Sequence, residues 1–304
     1  MSVGRLGSVA NAAILPAIYD SSGLGAALLI GFCFCLFSMV NAFGLIWVDK
    51  KAEDNDPEGE RVQLAEEDKF KWSDLYQFPL SYWLLTGSCV VTYMSVFPYI
   101  QIASDLLQTK YHFDKITAGY LFGVPYIISA ITSPFLGLGI DKFGKRAFLI
   151  CLSSGILILA YTSSMMMTEC YRCYNELYPL VLTGIGYSIY AAAIWGSIPY
   201  IVKPNTVGTA FGITTAIQNI GLVLAPTIVG HIKDATEAVD HGYFWTNVFF
   251  IAINVVGMML NLYLYYIDIY HNNRVLDSAS HPDSKKEKLQ ESQNEETESL
   301  LTRD

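Results

Sequence analysis

Residues 137–146 read Gly137-Leu138-Gly139-Ile140-Asp141-Lys142-Phe143-Gly144-Lys145-Arg146, a short charged turn between two long apolar stretches. Glycine permits close helix packing and positive φ, so this decapeptide allows two apolar helices to reverse direction within a few residues. Its basic residues favour the cytosolic side of a membrane. The segment therefore predicts a connection between two membrane helices, although an ordinary charged turn would have a similar composition.

The composition of the whole chain is that of a polytopic membrane protein. Of the 304 residues, 52% are hydrophobic and only 15% are charged. A helix needs about 20 mostly apolar residues to cross a bilayer. Because the apolar runs are continuous and too long for barrel strands, the sequence predicts an all-α fold. Eight spans are expected, near residues 1–19, 23–48, 78–102, 116–140, 147–168, 177–202, 207–232 and 244–270.

The basic residues predict how these spans are oriented. Placing residues 49–77, 141–146, 203–206 and the tail from 271 on one side gives that side 14 of the 19 basic residues. An excess of Lys and Arg marks the cytosolic side. The polar tail is predicted to be disordered, and the net charge of −9 makes nucleic acid an unexpected partner.

The decapeptide fits the pattern Gly-x-x-x-Asp-(Lys/Arg)-x-Gly-(Lys/Arg)-(Lys/Arg), which resembles the signature loop of the major facilitator superfamily. Other stretches resemble lysosomal dipeptide transporters within this superfamily. They are Gly4-Arg5-Leu6-Gly7-Ser8-Val9-Ala10-Asn11, Gly186-Tyr187-Ser188 followed by Ala191, Ala193 and Trp195, and Gly208-Thr209-Ala210-Phe211-Gly212 with Ile217-Gln218-Asn219-Ile220-Gly221. The resemblance covers nearly the whole chain except the linker and the tail.

The resemblance also implies a numbering of the helices. Members of the superfamily normally have twelve helices in two halves, and the second half carries the signature loop between helices eight and nine. Here the loop follows the fourth span, so the spans would be helices five to twelve and the first four would be absent. The expected domains are a remnant of the N-terminal bundle (1–48), a charged cytosolic linker (49–77), a C-terminal six-helix bundle (78–270) and a disordered cytosolic tail (271–304).

In function, the resemblance implies a lysosomal membrane transporter that exports dipeptides to the cytosol by alternating access. No Asp or Glu is expected in the central part of a span, which favours a uniporter over a proton symporter. A truncated, non-transporting protein that binds or regulates a full-length transporter is the alternative. An enzyme, a metal site and other cofactors are not expected, because His231 and His241 show no ligand spacing.

Arg5 is the leading candidate for substrate binding. It lies ~20 Å along the helix from the end of the first span at Ile18, and a charge at that depth needs a partner or a cavity. A guanidinium there could hold a carboxylate through a bidentate pair. The resemblance implies that this carboxylate is the C-terminus of the peptide. The alternative is an Arg that extends to the membrane surface near the helix end.

Aromatic and amide side chains of the second half are predicted to complete the site. Tyr93 and Phe97 are four residues apart and therefore share a helix face. Gln218 and Asn219 are amides in the middle of a span, where polar groups need partners. For each aromatic residue, ordinary packing between helices is the alternative. The predicted substrate-binding set is Arg5, Tyr93, Phe97, Tyr187, Trp195, Gln218 and Asn219.

The decapeptide is also predicted to act as a conformational latch. Asp141 at the end of one helix could pair with Lys145 or Arg146 at the start of the next, or these could bind nearby carbonyls, in one conformation only. The residues assigned to the latch are Gly137, Asp141, Gly144, Lys145 and Arg146.

Two further motifs suggest the location of the protein in the cell and the redox state of two cysteines. Glu296, Leu300 and Leu301 fit an acidic dileucine sorting pattern in the predicted cytosolic tail, which would bind an adaptor complex and direct the protein to lysosomes. Cys170 and Cys173 form a C-x-x-C pair on the opposite side, where a disulfide is one outcome and zinc a less favoured one.

The predicted partners are the lipid bilayer, a dipeptide and an accessory subunit. No Asn-x-Ser/Thr sequon occurs, so the lumenal loops would have no glycans of their own. The resemblance implies that the accessory subunit is the glycosylated lysosomal membrane protein. A homodimer is left open.

Overall fold

The computed structural model describes residues 2–55, 78–272 and 274–278. For several residues near the start of the chain it describes the backbone only. Within these ranges the chain folds into helices and forms no β-strand, so the all-α prediction is confirmed. The helices are α1 (Ser2–Asn55), α2 (Leu80–Thr109), α3 (Lys115–Phe122), α4 (Val124–Phe143), α5 (Arg146–Met166), α6 (Leu177–Ile201), α7 (Val207–Ala235) and α8 (Tyr243–Tyr270). Residues 56–77 of the predicted linker and most of the predicted tail lie outside the described residues.

Seven segments of the described chain are long and apolar enough to cross a membrane, judged by length and composition. They match the second to eighth predicted spans. Helices α3 and α4 together form one of them, Lys115–Phe143, which is interrupted at Gly123 just before Pro125. The protein is therefore a multi-pass membrane protein.

The first predicted span forms the first arm of α1. Gly23 has φ 80° and ψ 175°, a conformation that interrupts the helix and favours glycine. A cavity of about 350 Å³ is lined by Gly7 and Ile14 on one side of this break and by Ile30 and Phe34 on the other. The two arms of α1 therefore lie side by side, and the break coincides with the predicted start of the second span at residue 23.

The remaining helices pack around one buried core. Helix α5 packs on α6 and α8, α2 packs on α7 and α8, and α4 packs on α6. Helix α1 lies against α3 and α4 at the edge. This arrangement brings α2, α6 and α7 together in the middle of the bundle, and the predicted aromatic and amide residues are on these three helices.

A buried carboxylate joins several helices at the end of the bundle opposite the signature loop. Glu176 is 1% exposed and accepts hydrogen bonds from the hydroxyls of Tyr99 (2.8 Å), Tyr111 (3.1 Å) and Ser164. Burial raises the pKa of Tyr111, and the charge of Glu176 raises it further. This phenol therefore keeps its proton and remains a donor. Glu176 therefore ties the ends of α2 and α5 to the start of α6.

Two other contacts fix the loops at this end. Lys110 is 2% exposed and donates to Asp240 at 2.8 Å, which connects the end of α2 to the α7–α8 loop. Cys170 and Cys173 are joined by a disulfide, with Cα atoms 5.8 Å apart. The structure thus contains the disulfide, the first of the two outcomes that the C-x-x-C spacing left open.

Candidate functional site

Aromatic rings of α2 and α6 meet in the middle of the bundle. The rings of Tyr93 and Phe97 stack on one face of α2, with centroids 5.4 Å apart. The Tyr187 ring on α6 meets both edge-on, at 5.8 Å from Tyr93 and 5.5 Å from Phe97. Edge-to-face contacts at these distances are favourable beyond the area that they bury. Three of the predicted site residues therefore form one contact group.

Trp195 connects this group to α7. Its indole Nε1 donates to the Tyr93 hydroxyl at 2.8 Å, and its ring stacks on Phe211 with centroids 5.9 Å apart and planes 11° apart. Phe211 was not among the residues predicted for the site. A signal was available, because Phe211 precedes Gln218 by seven residues and so shares its face of α7.

The two predicted amides point in different directions. Gln218 is 7% exposed, and its Oε1 lies 3.9 Å from the sulfur of Cys89. Cys89 is on α2, one helical turn before Tyr93 and on the same face. Asn219, by contrast, is exposed. Successive residues of a helix are rotated by about 100°, so only one of two adjacent amides can face a given neighbour. The structure therefore turns Gln218 towards α2, where it meets Cys89, and leaves Asn219 exposed.

We call this group the aromatic–amide cluster. Its members are Tyr93, Phe97, Tyr187, Trp195, Phe211 and Gln218. All six side chains are uncharged. The cluster offers ring faces and edges for apolar or aromatic groups, and amide and hydroxyl groups for hydrogen bonds. A charged end of a ligand would therefore need a partner outside it.

Arg5 was predicted to supply that charge. Its backbone lies in the first arm of α1, but its side chain lies outside the described residues, so its role stays a prediction.

Small hydroxyl residues next to the cluster hold α2 against its neighbours. Thr86 and Thr214 are hydrogen-bonded at 3.1 Å between α2 and α7, and Ser88 and Tyr190 at 2.7 Å between α2 and α6. The Tyr82 hydroxyl donates to the Ala210 carbonyl at 3.1 Å. Membrane helices often use hydroxyl contacts of this kind in place of hydrophobic attraction. Thr86, Thr214 and Ser88 were not predicted, because Ser and Thr are common in spans.

The signature loop contacts the segment that follows α8. Arg146 is 2% exposed, and its guanidinium lies over the Tyr200 ring at 3.9 Å. Its Nη2 donates to the Tyr200 hydroxyl at 3.0 Å and its Nη1 to the Ser278 carbonyl at 2.8 Å. The backbone N–H of Arg146 also donates to the Leu276 carbonyl at 3.1 Å. Residues 274–278 are therefore docked against the loop.

The predicted partner of Arg146 within the loop was Asp141. Asp141 and Lys145 are both exposed, and Asp141 takes part in none of the three ion pairs formed by described residues. The prediction concerned one conformation only, so the latch stays a prediction.

The two glycines assigned to the latch have different surroundings. A Cβ added at Gly137 would meet no neighbouring atom within 4 Å, whereas Gly144 has φ +65° and lies against the backbone of residues 277 and 278.

Replacing Gly144 by Ala is expected to detach residues 274–278 from the loop. A Cβ at Gly144 would lie 2.8 Å from the Ser278 carbonyl carbon, and a non-glycine residue at this φ costs about 1–3 kcal/mol. Trypsin should then cleave after Arg274 several-fold faster, as measured from the mass of the released fragment. Gly139→Ala, with nothing within 4 Å of its Cβ, is the control. Equal cleavage rates in the two variants would argue against this contact.

The predicted sorting residues Glu296, Leu300 and Leu301 lie outside the described residues, so the adaptor site stays a prediction.

The described chain is thus a bundle of membrane-spanning helices, with an uncharged cluster where α2, α6 and α7 meet and a charged loop between α4 and α5. The family model of the Major Facilitator Superfamily matches residues 1–226. The chain belongs to this superfamily, and the resemblance of the signature loop is confirmed.

Curated relatives agree with this assignment. The chain is 32% identical over 294 residues to the lysosomal dipeptide transporter MFSD1 of Danio rerio, a match that covers 92% of this chain and 60% of the relative. It is 31% identical over 283 residues to the human protein of the same name, covering 88% of this chain and 57% of the relative. A putative tartrate transporter of Agrobacterium vitis is 24% identical over 154 residues, which is 50% of this chain and 34% of that protein. The chain thus spans about 60% of the length of its MFSD1 relatives.

Proposed function

We propose that this protein belongs to a lysosomal transporter that exports dipeptides to the cytosol by alternating access. The observation that carries the proposal is the aromatic–amide cluster, in which Trp195 and Tyr93 are hydrogen-bonded beside the rings of Phe97 and Tyr187. The similarity to transporters named for lysosomes and dipeptides supports the substrate and the location.

A dipeptide fits the chemistry of this cluster. Its side chains would contact the ring faces, and its single peptide bond would exchange hydrogen bonds with the Tyr93 hydroxyl and the Gln218 amide. Because the cluster is uncharged, the C-terminal carboxylate would go to Arg5, which can donate two parallel hydrogen bonds. We also propose that the end with the signature loop faces the cytosol, in agreement with the distribution of basic residues.

We further propose that the transporter is a uniporter. Proton coupling needs a membrane-embedded acid that can gain and lose a proton. Glu176, which was not predicted to be buried, lies at one end of the bundle and is held by three hydroxyls. Asp268, also buried, lies near the other end and accepts from the Leu276 N–H at 3.1 Å. In the parts of the spans that the structure describes, neither acid lies beside the aromatic–amide cluster.

The second candidate function is a membrane protein that binds or regulates a longer transporter. It is favoured by Gly208 and Gly212 on α7, which are exposed, four residues apart and have no atom within 4 Å of an added Cβ, because membrane helices use small residues at this spacing to pack closely on another helix. Uptake of labelled dipeptide into liposomes that contain only this chain separates the two. Uptake by this chain alone favours the transport function. The regulatory function is favoured if this chain instead changes the uptake by a full-length relative in the same liposomes.

Tyr93→Phe is expected to raise the KM for dipeptide uptake by about threefold to tenfold, because the loss of one hydrogen bond costs about 0.5–1.5 kcal/mol. The change removes the hydroxyl that pairs with Trp195 and keeps the ring that stacks on Phe97. The measurement is initial uptake rate against dipeptide concentration.

Tyr178→Phe is the control for this change, because Tyr178 is on α6 but is 51% exposed. An unchanged KM in Tyr93→Phe, or an equal rise in the control, would exclude Tyr93 from the substrate site.

A further inference from the structure

Helix α8 carries a buried polar residue at every seventh position. Asn247, Asn254 and Asn261 are followed at the same interval by Asp268, and each is 2% exposed or less. Residues seven apart lie on nearly the same face of an α-helix, so these side chains form one line along α8. We call this line the asparagine seam. It faces α2 and α5, the two helices on which α8 packs most extensively.

The amide nitrogens of the seam are paired with serines of these neighbours. Nδ2 of Asn247 donates to Ser164 at 3.4 Å, and Nδ2 of Asn261 donates to Ser154 at 2.9 Å, both on α5. Nδ2 of Asn254 donates to Ser95 on α2. Each asparagine therefore has a fixed orientation in which its nitrogen faces another helix.

The amide oxygens of the same three residues are buried and accept no hydrogen bond from the described protein atoms. A buried acceptor without a donor costs about 1–3 kcal/mol, and lipid offers no donor in its place. An isolated case could be local imperfection in packing. Three cases at one spacing on one helix indicate a common missing donor.

We propose that ordered water molecules occupy the asparagine seam and donate to Oδ1 of Asn247, Asn254 and Asn261. Water is small enough for a packed helix interface, and buried waters commonly satisfy polar groups of this kind. Beside the central site, the absent side chain of Gly257, one turn after Asn254, leaves a space of about one methyl group. A Cβ at Gly257 would lie 3.4 Å from Val91 and 3.6 Å from the Thr92 hydroxyl, both on α2.

Two apolar side chains interrupt the asparagine seam. Phe250 lies between Asn247 and Asn254, and Leu264 lies between Asn261 and Asp268, and both are fully buried. These apolar side chains interrupt a file of water along α8. The waters therefore bridge α8 to α2 and α5 without forming a path for protons across the membrane.

Radiolytic footprinting tests the proposal, because X-rays generate hydroxyl radicals from bound water inside a protein. Tyr161 is the reporter, since it is fully buried and its hydroxyl lies 3.4 Å from Ser95, the partner of Asn254. Tyr82 is the reference, since it is equally buried and donates to the Ala210 carbonyl away from the seam. In the intact chain, Tyr161 should be oxidised several-fold faster than Tyr82.

Two substitutions then remove the water in different ways. Asn254→Leu deletes the acceptor, and Gly257→Ala places a methyl group in the room beside it. Both should lower the oxidation rate of Tyr161 towards that of Tyr82, in protein whose helical circular dichroism is unchanged. Gly87→Ala is the matched control, because its added methyl would meet only Leu260 of α8 at 3.6 Å.

The proposal is overturned if Tyr161 reacts no faster than Tyr82. It is also overturned if Gly257→Ala folds and leaves the Tyr161 rate unchanged, or if Gly87→Ala lowers that rate equally. The readout requires no transport, so it is independent of the proposed function.

Discussion

Replacing Arg5 by Gln is expected to reduce the uptake of a dipeptide with a free C-terminus by about 30-fold or more, because losing a buried charged partner costs about 2 kcal/mol or more. Gln keeps a hydrogen-bonding side chain but cannot neutralise a carboxylate. The aromatic–amide cluster is uncharged, so it provides no substitute. Initial rates in proteoliposomes with equal protein content measure the effect.

Two comparisons show whether the lost interaction is with the carboxylate. A C-terminally amidated dipeptide should be a poor substrate of the unchanged protein, and Arg5→Gln should reduce its uptake little further. Arg5→Lys should recover only part of the activity, because an ammonium group lacks the planar fork that holds both carboxylate oxygens. An equal loss for the acid and the amide would assign Arg5 to the structure of the helix rather than to the substrate.

Replacing Glu176 by Ala is expected to have the largest effect on stability. The change removes the acceptor of three buried hydroxyls, those of Tyr99, Tyr111 and Ser164. A buried donor left without its acceptor costs about 1–3 kcal/mol, so the loss of this carboxylate should lower the free energy of unfolding by about 3 kcal/mol or more. Thermal and denaturant unfolding of the purified protein in detergent measure this loss.

Glu169→Ala is the control for Glu176→Ala, because Glu169 lies in the same loop region and pairs with His112 while its side chain is 53% exposed. Exposed ion pairs contribute about 0–1 kcal/mol, so this variant should unfold almost as the unchanged protein does. A Glu176→Ala variant as stable as Glu169→Ala would show that the buried carboxylate does not hold the helix ends together.

The sequence was sufficient to predict features that depend on local spacing. Hydropathy located the spans to within several residues, and the i, i+4 spacing of Tyr93 and Phe97 placed their rings on one face of α2. The signature loop led to the superfamily. These features depend on residues close together in the chain, so one sequence contains the necessary information.

Features that depend on helix rotation or on distant contacts were missed. Whether Gln218 or Asn219 faces α2 depends on how α7 is rotated against its neighbours, which hydropathy does not determine for a helix with apolar residues on all sides. The docking of Ser278 onto Arg146 joins residues 132 positions apart. The asparagine seam is different, because its seven-residue spacing is visible in the sequence and was overlooked.

Transport itself is the most direct test of the proposed function. Liposomes that contain this chain are loaded with buffer and given a labelled dipeptide with and without a pH gradient. We expect saturable uptake that an unlabelled dipeptide inhibits, that Arg5→Gln strongly reduces and that the pH gradient leaves unchanged. Uptake no greater than in empty liposomes would contradict dipeptide transport, and uptake that requires the pH gradient would contradict the uniporter.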